Sequence, residues 1–302
     1  MLKASSILGN SQRLDGGAMF GNAPRALWSR LSPPDELGRI PLACRALLLE
    51  TPDRKVLCET GIGAFFEPAL RERYGVVEAE HVLLESLAAL GLSDADIDVV
   101  VLSHLHFDHS GGLLKPHRAG HPAELCFPRA EFVVTRGAWE RALRPHPRDR
   151  ASFIPELPGL LERSGRLRVL DSLEEGARFL GERFSLRTSD GHTPSMLHTL
   201  VRGGRAELFF CADLVPGSAW LHLPMTMGYD RFPERLIDEK SELYAELLAR
   251  ETFLFFTHDP KLAAARLTRD DKGRFGAGER LPDFTRWDLD ENFQFEASNT
   301  VS

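Results

Sequence analysis

The stretch that most restricts this chain is Ser103-His104-Leu105-His106-Phe107-Asp108-His109, entered directly from the largely apolar run 97–102. Such a run suits a strand buried on both faces. His104 and His106 lie two residues apart just beyond it, so extended backbone can aim both rings to one side. Asp108 and His109 then turn back into the same space, and Ser110-Gly111-Gly112 supplies the backbone freedom. Three imidazoles and a carboxylate suit zinc, manganese or iron better than calcium or magnesium. By contrast, His117, His121 and His146 read as ordinary surface histidines.

Three further residues share that setting. His192 sits in the sharp turn Ser189-Asp190-Gly191-His192-Thr193-Pro194. Asp213 follows Leu208-Phe209-Phe210-Cys211-Ala212, and His258 follows Phe253-Leu254-Phe255-Phe256-Thr257. Each is metal-capable and stands where an apolar strand ends, the place where α/β sheets present functional loops. Gly61 and Gly63 lack a third spaced glycine and read as turn glycines, not a phosphate loop.

The surrounding pattern predicts strands at 43–50 and 55–59, joined as a hairpin by Thr51-Pro52-Asp53-Arg54. A helix is expected over 80–90, a strand at 131–135 and a short helix from residue 138. Residues 144–165 are broken by Pro145, Pro147, Pro155 and Pro158 and read as irregular. Strands return at 166–170, 183–188, 195–201 and 207–212, with Gly203-Gly204 turning the last pair. A helix over 233–250 and a strand at 252–257 complete the set. The first forty residues carry Met19, Phe20, Leu27 and Trp28 and read as an arm packed on the body. After about residue 280 the chain becomes a polar extension around Trp287 and Phe293. We expect one α/β domain spanning 1–302, two sheets with outer helices.

Composition narrows the partners. A formal charge of −7 argues against a broad nucleic-acid footprint. The four cysteines, Cys44, Cys58, Cys126 and Cys211, form no CxxC pair and suit reduced thiols in the cytoplasm. The N-terminus does not read as a signal peptide, and no apolar segment approaches the roughly 18 residues of a membrane span.

On these residues the chain resembles the metallo-β-lactamase-fold hydrolases, whose HxHxDH motif stands here as His104, His106, Asp108 and His109. The resemblance implies a four-layer αββα sandwich. It also implies that His104, His106 and His192 hold one metal, that Asp108, His109 and His258 hold a second, and that Asp213 bridges them. Asp15-Gly16-Gly17-Ala18-Met19-Phe20-Gly21 and the segments at 213–216, 227–230 and 257–260 resemble the subgroup of N-acyl homoserine lactonases and methyl-parathion-hydrolase-like enzymes. Two positions depart from the family. Glu59 replaces the usual supporting Asp, and Asp190 replaces the histidine that normally precedes the third metal-binding one.

The resemblance leads us to expect two divalent ions, zinc first, with manganese, iron or cobalt as alternatives. Two such ions lower the pKa of a shared water, which attacks a carbonyl carbon. Asp108 would move the proton to the leaving oxygen, and Tyr229 or His222 would supply a hydrogen bond. Met19, Phe20, Trp28, Phe107 and Trp220 are expected to wall the substrate. The expected substrate is a small lactone or related carboxylic ester, with quorum quenching as the implied role. A phosphotriester or thioester is the alternative substrate, and a metal-binding scaffold is the non-enzymatic reading. We expect no nucleic-acid or membrane partner; in the resembled subgroup such arms also contribute to homodimers.

Overall fold

The computed structural model describes residues 1–291. The chain opens with β1 (Lys3–Leu8), β2 (Gln12–Asp15), α1 (Gly16–Phe20), α2 (Arg25–Leu31) and β3 (Arg39–Leu42). Next come β4 (Arg45–Glu50), β5 (Lys55–Cys58), α3 (Pro68–Arg73), α4 (Val82–Ala89), β6 (Val99–Val101) and the single-turn α5 (Phe107–Ser110). The middle holds β7 (Glu131–Thr135), α6 (Arg136–Leu143), α7 (Leu157–Arg163), β8 (Leu167–Leu170) and α8 (Leu173–Leu180). Then follow β9 (Phe184–Ser189), β10 (Met196–Arg202), β11 (Glu207–Phe210), α9 (Pro233–Arg250) and β12 (Phe253–Phe255). The last elements are β13 (Ala264–Arg269), β14 (Phe275–Leu281) and β15 (Trp287–Asp288).

Seven strands form one sheet in the order β15-β1-β4-β5-β6-β7-β8, and six form another, β14-β13-β12-β11-β10-β9. Side-chain alternation along β4 explains the layering. Leu47 and Leu49 join Phe210, Phe255 and Met196 in the core between the sheets. Ala46 and Leu48 face the other way, onto Leu83 and Leu87 of α4, Trp139 of α6 and Leu157 of α7. Beyond the second sheet lies α9, whose Leu236, Leu243 and Leu247 are buried. The result is helix, sheet, sheet, helix: an α/β sandwich with the αββα order read from the sequence.

The first residues and the described stretch after residue 280 are built into this frame more deeply than the sequence suggests. Lys3–Leu8 is not part of an arm but an internal strand, paired to β4 over its full length. Small Ser5 and Ser6 hide the alternation that would have marked it. The stretch after residue 280 is not merely polar either. Leu281, Phe284, Trp287 and Leu289 are buried, and β15 pairs with β1. The hairpin β13–β14 is also absent from the sequence expectation, because its outer positions are charged and its strands carry Thr268, Gly276 and Gly278 in place of an apolar alternation. Phe293 lies outside the described residues.

All four cysteines are buried and free. Among the described residues no helix is long and apolar enough to cross a membrane.

Candidate metal centre

The parallel strands β5, β6, β11 and β12 end on one edge of the sandwich and deliver Glu59, His104, Asp213 and His258 there. Backbone bonds tie the two sheets at that edge. Leu197 N donates to Ser103 O at 2.8 Å, and Arg45 N to Thr257 O at 2.9 Å. Three residues beside the cleft hold left-handed backbone despite having side chains: Glu59 (φ 64), Ser195 (φ 54) and Ala212 (φ 44). Such strain persists only where surrounding structure over-determines it. On the floor Gly112 has no room for a side chain, since a Cβ there would stand 2.1 Å from Thr60 O.

Two triads converge in the cleft. His104, His106 and His192 offer ligand atoms mutually within 4.8 Å, and so do Asp108, His109 and His258. His106 Nδ1 lies 3.0 Å from His104 Nε2 and 3.3 Å from His192 Nε2, while His109 Nε2 lies 3.2 Å from His258 Nε2. Asp213 stands between the triads. Its Oδ2 is 3.2 Å from His192 Nε2 and 3.4 Å from His109 Nε2, and its Oδ1 is 3.2 Å from His258 Nε2.

The outward nitrogens decide what the inward ones can do. His109 Nδ1 meets Glu59 Oε2 at 2.8 Å, His192 Nδ1 meets Asp230 Oδ1 at 2.9 Å, and His258 Nδ1 meets Ala43 O at 2.7 Å. Each partner only accepts, so each Nδ1 carries its hydrogen. Ser103 Oγ donates to Glu59 Oε1 and therefore accepts from His104 Nδ1, 2.8 Å away. In the neutral rings the four Nε2 atoms are thus lone pairs, those of His109 and His258 facing each other and those of His104 and His192 facing His106 Nδ1. Buried lone pairs at such distances need a cation between them. The donor set, five imidazoles and two carboxylates, fits two borderline-soft divalent ions.

Glu59 also lies within ligand reach of His104 and His109, but its oxygens are occupied by Ser103 and the outer face of His109. That makes it a support. His106 is the exception among the rings, because its buried Nε2 has no hydrogen-bond partner. The His106 ring makes an edge contact with Phe153, ring centroids 4.9 Å apart.

The electrostatics divide the rings. Burial, and then the neighbouring imidazoles, hold His104 and His106 well below the ordinary histidine range. Burial works the same way on His109, but Glu59, Asp213 and Asp108 outweigh it and raise its pKa well above that range. Asp213 likewise overrides burial at His192 and His258. Burial would raise Asp213 itself, but the three rings around it hold it well below the carboxylate range.

Of the other expected residues, Tyr229 is 41% exposed on the rim. Burial, then the charges of Asp108 and Asp15, push its hydroxyl up, so it remains a donor at neutral pH. His222 is exposed and is not brought against the triads; its carbonyl is held by Lys240 Nζ at 3.1 Å. The expected aromatic wall divides. Met19, Phe20, Trp28 and Trp220 are buried in the main core, with Phe20 stacked between Trp28 and Trp220 at 5.7 and 4.5 Å. They shape the arm and do not line the cavity. Only Phe107 does, together with Phe65, Phe66, Tyr74, Phe153 and Ile154, around a space of about 700 Å³. That cavity adjoins the cleft across Phe107 and Phe153 and contains no metal-capable residue of either triad.

Sequence reading missed Asp230, which orients His192, and Ser103, which links Glu59 to His104. The segment 227–230 and the motif's first residue were the available signals. Asp190 does not replace a ligand. Its Oδ1 accepts from Ser195 N at 2.8 Å and its Oδ2 pairs with Arg235, so it pins the turn that presents His192.

Residues 39–258 match the family model of the metallo-beta-lactamase superfamily. A "probable metallo-hydrolase" of Mycobacterium tuberculosis is 28% identical over 253 residues, covering 74% of this chain and 73% of that protein. The structure is similar to that of a "probable metal-dependent hydrolase" from Staphylococcus aureus, with TM-score 0.82 and 24% identity over 93% of this chain and 96% of that one. It is also similar to AidC, a dizinc quorum-quenching lactonase solved with a product, with TM-score 0.67 and 21% identity over 94% and 95% of the two chains.

Proposed function

Because this chain belongs to the metallo-β-lactamase superfamily, we propose that it is a metal-dependent hydrolase that opens a lactone or related carboxylic ester at a two-metal centre. The observation that carries this reading is the pair of ligand triads sharing Asp213. His104, His106 and His192 would hold one ion, Asp108, His109 and His258 the other, and Asp213 both. Zinc is the first expectation, given the donor set and the dizinc lactonase among the similar structures.

Such a pair, when bound, supplies Lewis acidity that activates water and polarises the carbonyl oxygen. The chain's own residues do the rest. Glu59, Ser103, Asp230 and Ala43 O lock four rings in the tautomer that presents Nε2 to the cleft. Asp108 is the one carboxylate of the triads with appreciable exposure, 16%. It can accept the proton of the attacking water and return it to the leaving oxygen. Tyr229, protonated on the rim, is placed to donate to a substrate oxygen. The apolar cavity behind Phe107 suits an acyl substituent.

The test is a pH-drop assay of metal-loaded protein against acyl lactones, simple esters, thioesters and phosphotriesters, alongside metal analysis. Lactone or ester turnover that disappears with the metal is the expected result. Turnover of phosphotriesters alone would overturn the substrate reading, and a fully loaded but inert protein would favour a scaffold.

A further inference from the structure

Arg141, Arg148 and Arg231 come from three separate stretches and gather beside the His106–His192 half of the centre. Arg141 lies in α6, Arg148 in the irregular segment after it, and Arg231 directly after Asp230. Arg231 N donates to His192 O at 3.2 Å, which fixes this residue to a metal-capable one. Arg148 Nη2 donates to Gly228 O at 2.7 Å, and Arg231 Nη1 meets His146 Nδ1 at 3.3 Å. These contacts strap the segment around 146–149 to the loop that carries Tyr229.

Among the described residues only one carboxylate answers the three guanidinium groups. Asp149 Oδ2 takes Arg141 Nε at 2.9 Å and Nη2 at 2.6 Å. Arg148 is exposed and has no carboxylate partner among the described residues. Arg231 Nε is buried without any hydrogen-bond partner, and so is Asp149 Oδ1. The like charges are felt: burial, then Arg141, hold Arg231 below its ordinary value, while Asp149 opposes them and Arg148 adds to them. A surplus of guanidinium groups with free donors, beside a reaction centre, attracts and orients oxyanions.

We propose that Arg231 and Arg148 form an oxyanion subsite that selects substrates carrying a carboxylate or phosphate in addition to the scissile ester. The proposal rests on the hydrolase reading above but can be tested apart from it. Arginine Nε–H signals of metal-loaded protein are followed by NMR during titration with succinate and with inorganic phosphate, against chloride at equal ionic strength. Arg231→Gln identifies the relevant signal by its loss. A saturable shift of that signal with either oxyanion, weakened in Arg148→Gln, is expected, and the responding anion identifies the group. Shifts no larger than chloride's would overturn the subsite and leave a water bridging Arg231 Nε and Asp149 Oδ1.

The kinetic arm compares monomethyl and dimethyl esters of dicarboxylic acids of graded length. Arg231→Gln and the surface variant Arg148→Gln should raise KM about tenfold more for an anionic member than for the neutral diester of the same length. Equal effects on both series would refute selection by charge. Absence of turnover for every ester would count against the hydrolase reading, and the NMR titration would still decide the subsite.

Discussion

Glu59 Oε2 stands 2.8 Å from His109 Nδ1, and its other oxygen takes the hydroxyl of Ser103, which holds His104. One buried carboxylate therefore orients a ring in each of the two metal-capable triads. Glu59→Gln can turn its carbonyl to only one of the two donors it now accepts from, so His109 or Ser103 would face an amide hydrogen. We expect metal affinity to fall about 10–100-fold, the usual cost of losing such a support. Titration against a chromogenic chelator measures it, and wild-type affinity in this variant would contradict the assigned role.

Metal uptake should release protons. In the metal-free protein His109, His192 and His258 have raised pKa values and keep their protons further up the pH scale than ordinary histidines. An ion must displace those protons, so affinity rises with pH until the rings are neutral. Calorimetry in two buffers of different ionisation enthalpy reads the proton count directly. A binding enthalpy that does not depend on buffer would refute this.

His198 carries a separate pH dependence. Burial pushes its ring down to about 4, and its Nε2 lies 2.8 Å from Ser189 Oγ. The unfolded chain takes up a proton near the ordinary value of about 6.5 that the folded ring refuses. The resulting stabilisation is complete above that pH and is lost as pH falls through about 4, amounting to about 3 kcal/mol at most. Urea unfolding of His198→Gln should show a shallower acid loss than wild type across this window. Parallel curves would assign the loss to other groups.

Lys240 secures the loop that leads to Tyr229 and Asp230. Its buried Nζ donates to the carbonyls of Trp220, His222 and Met225 at 2.7, 3.1 and 3.0 Å. Burial presses the side chain towards neutrality, to about 7, against the charge of Asp230. An ammonium has three protons to give and a neutral amine two, so the three acceptors favour the charged form. Lys240→Met takes that donor from the buried carbonyls of Trp220 and Met225, while His222 O keeps Met225 N at 2.9 Å, and we expect a loss of about 2–4 kcal/mol. Thermal or urea unfolding reports it; a loss under about 1 kcal/mol would mean that the loop holds itself.

The positions of the metal-capable residues were legible because strand ends are local. The apolar runs before His104, Asp213 and His258 state where each strand stops, and the buried strands β6, β11 and β12 stop there. Which aromatic rings face the cavity was not legible in the same way. Phe20 and Phe107 look alike in sequence, yet one is stacked between two tryptophans and the other faces a cavity. Burial in a core and exposure in a cleft both favour an aromatic ring, so residue type cannot separate them. Strand β1 escaped notice because its serines break the apolar alternation, while its pairing partner β4 lies some forty residues away.

By itself, then, the sequence determined the two-sheet body and the cluster of metal-capable side chains at one edge of it, since periodicity and strand-end placement act over a few residues. Tertiary structure decided which nitrogen of each ring faces inward, through Glu59, Asp230 and the carbonyl of Ala43. Those partners lie 50, 38 and 215 residues from the rings they hold. Only packing of the two sheets brings such distant groups to hydrogen-bond distance, and a ring's tautomer follows from whichever acceptor packing sets against it.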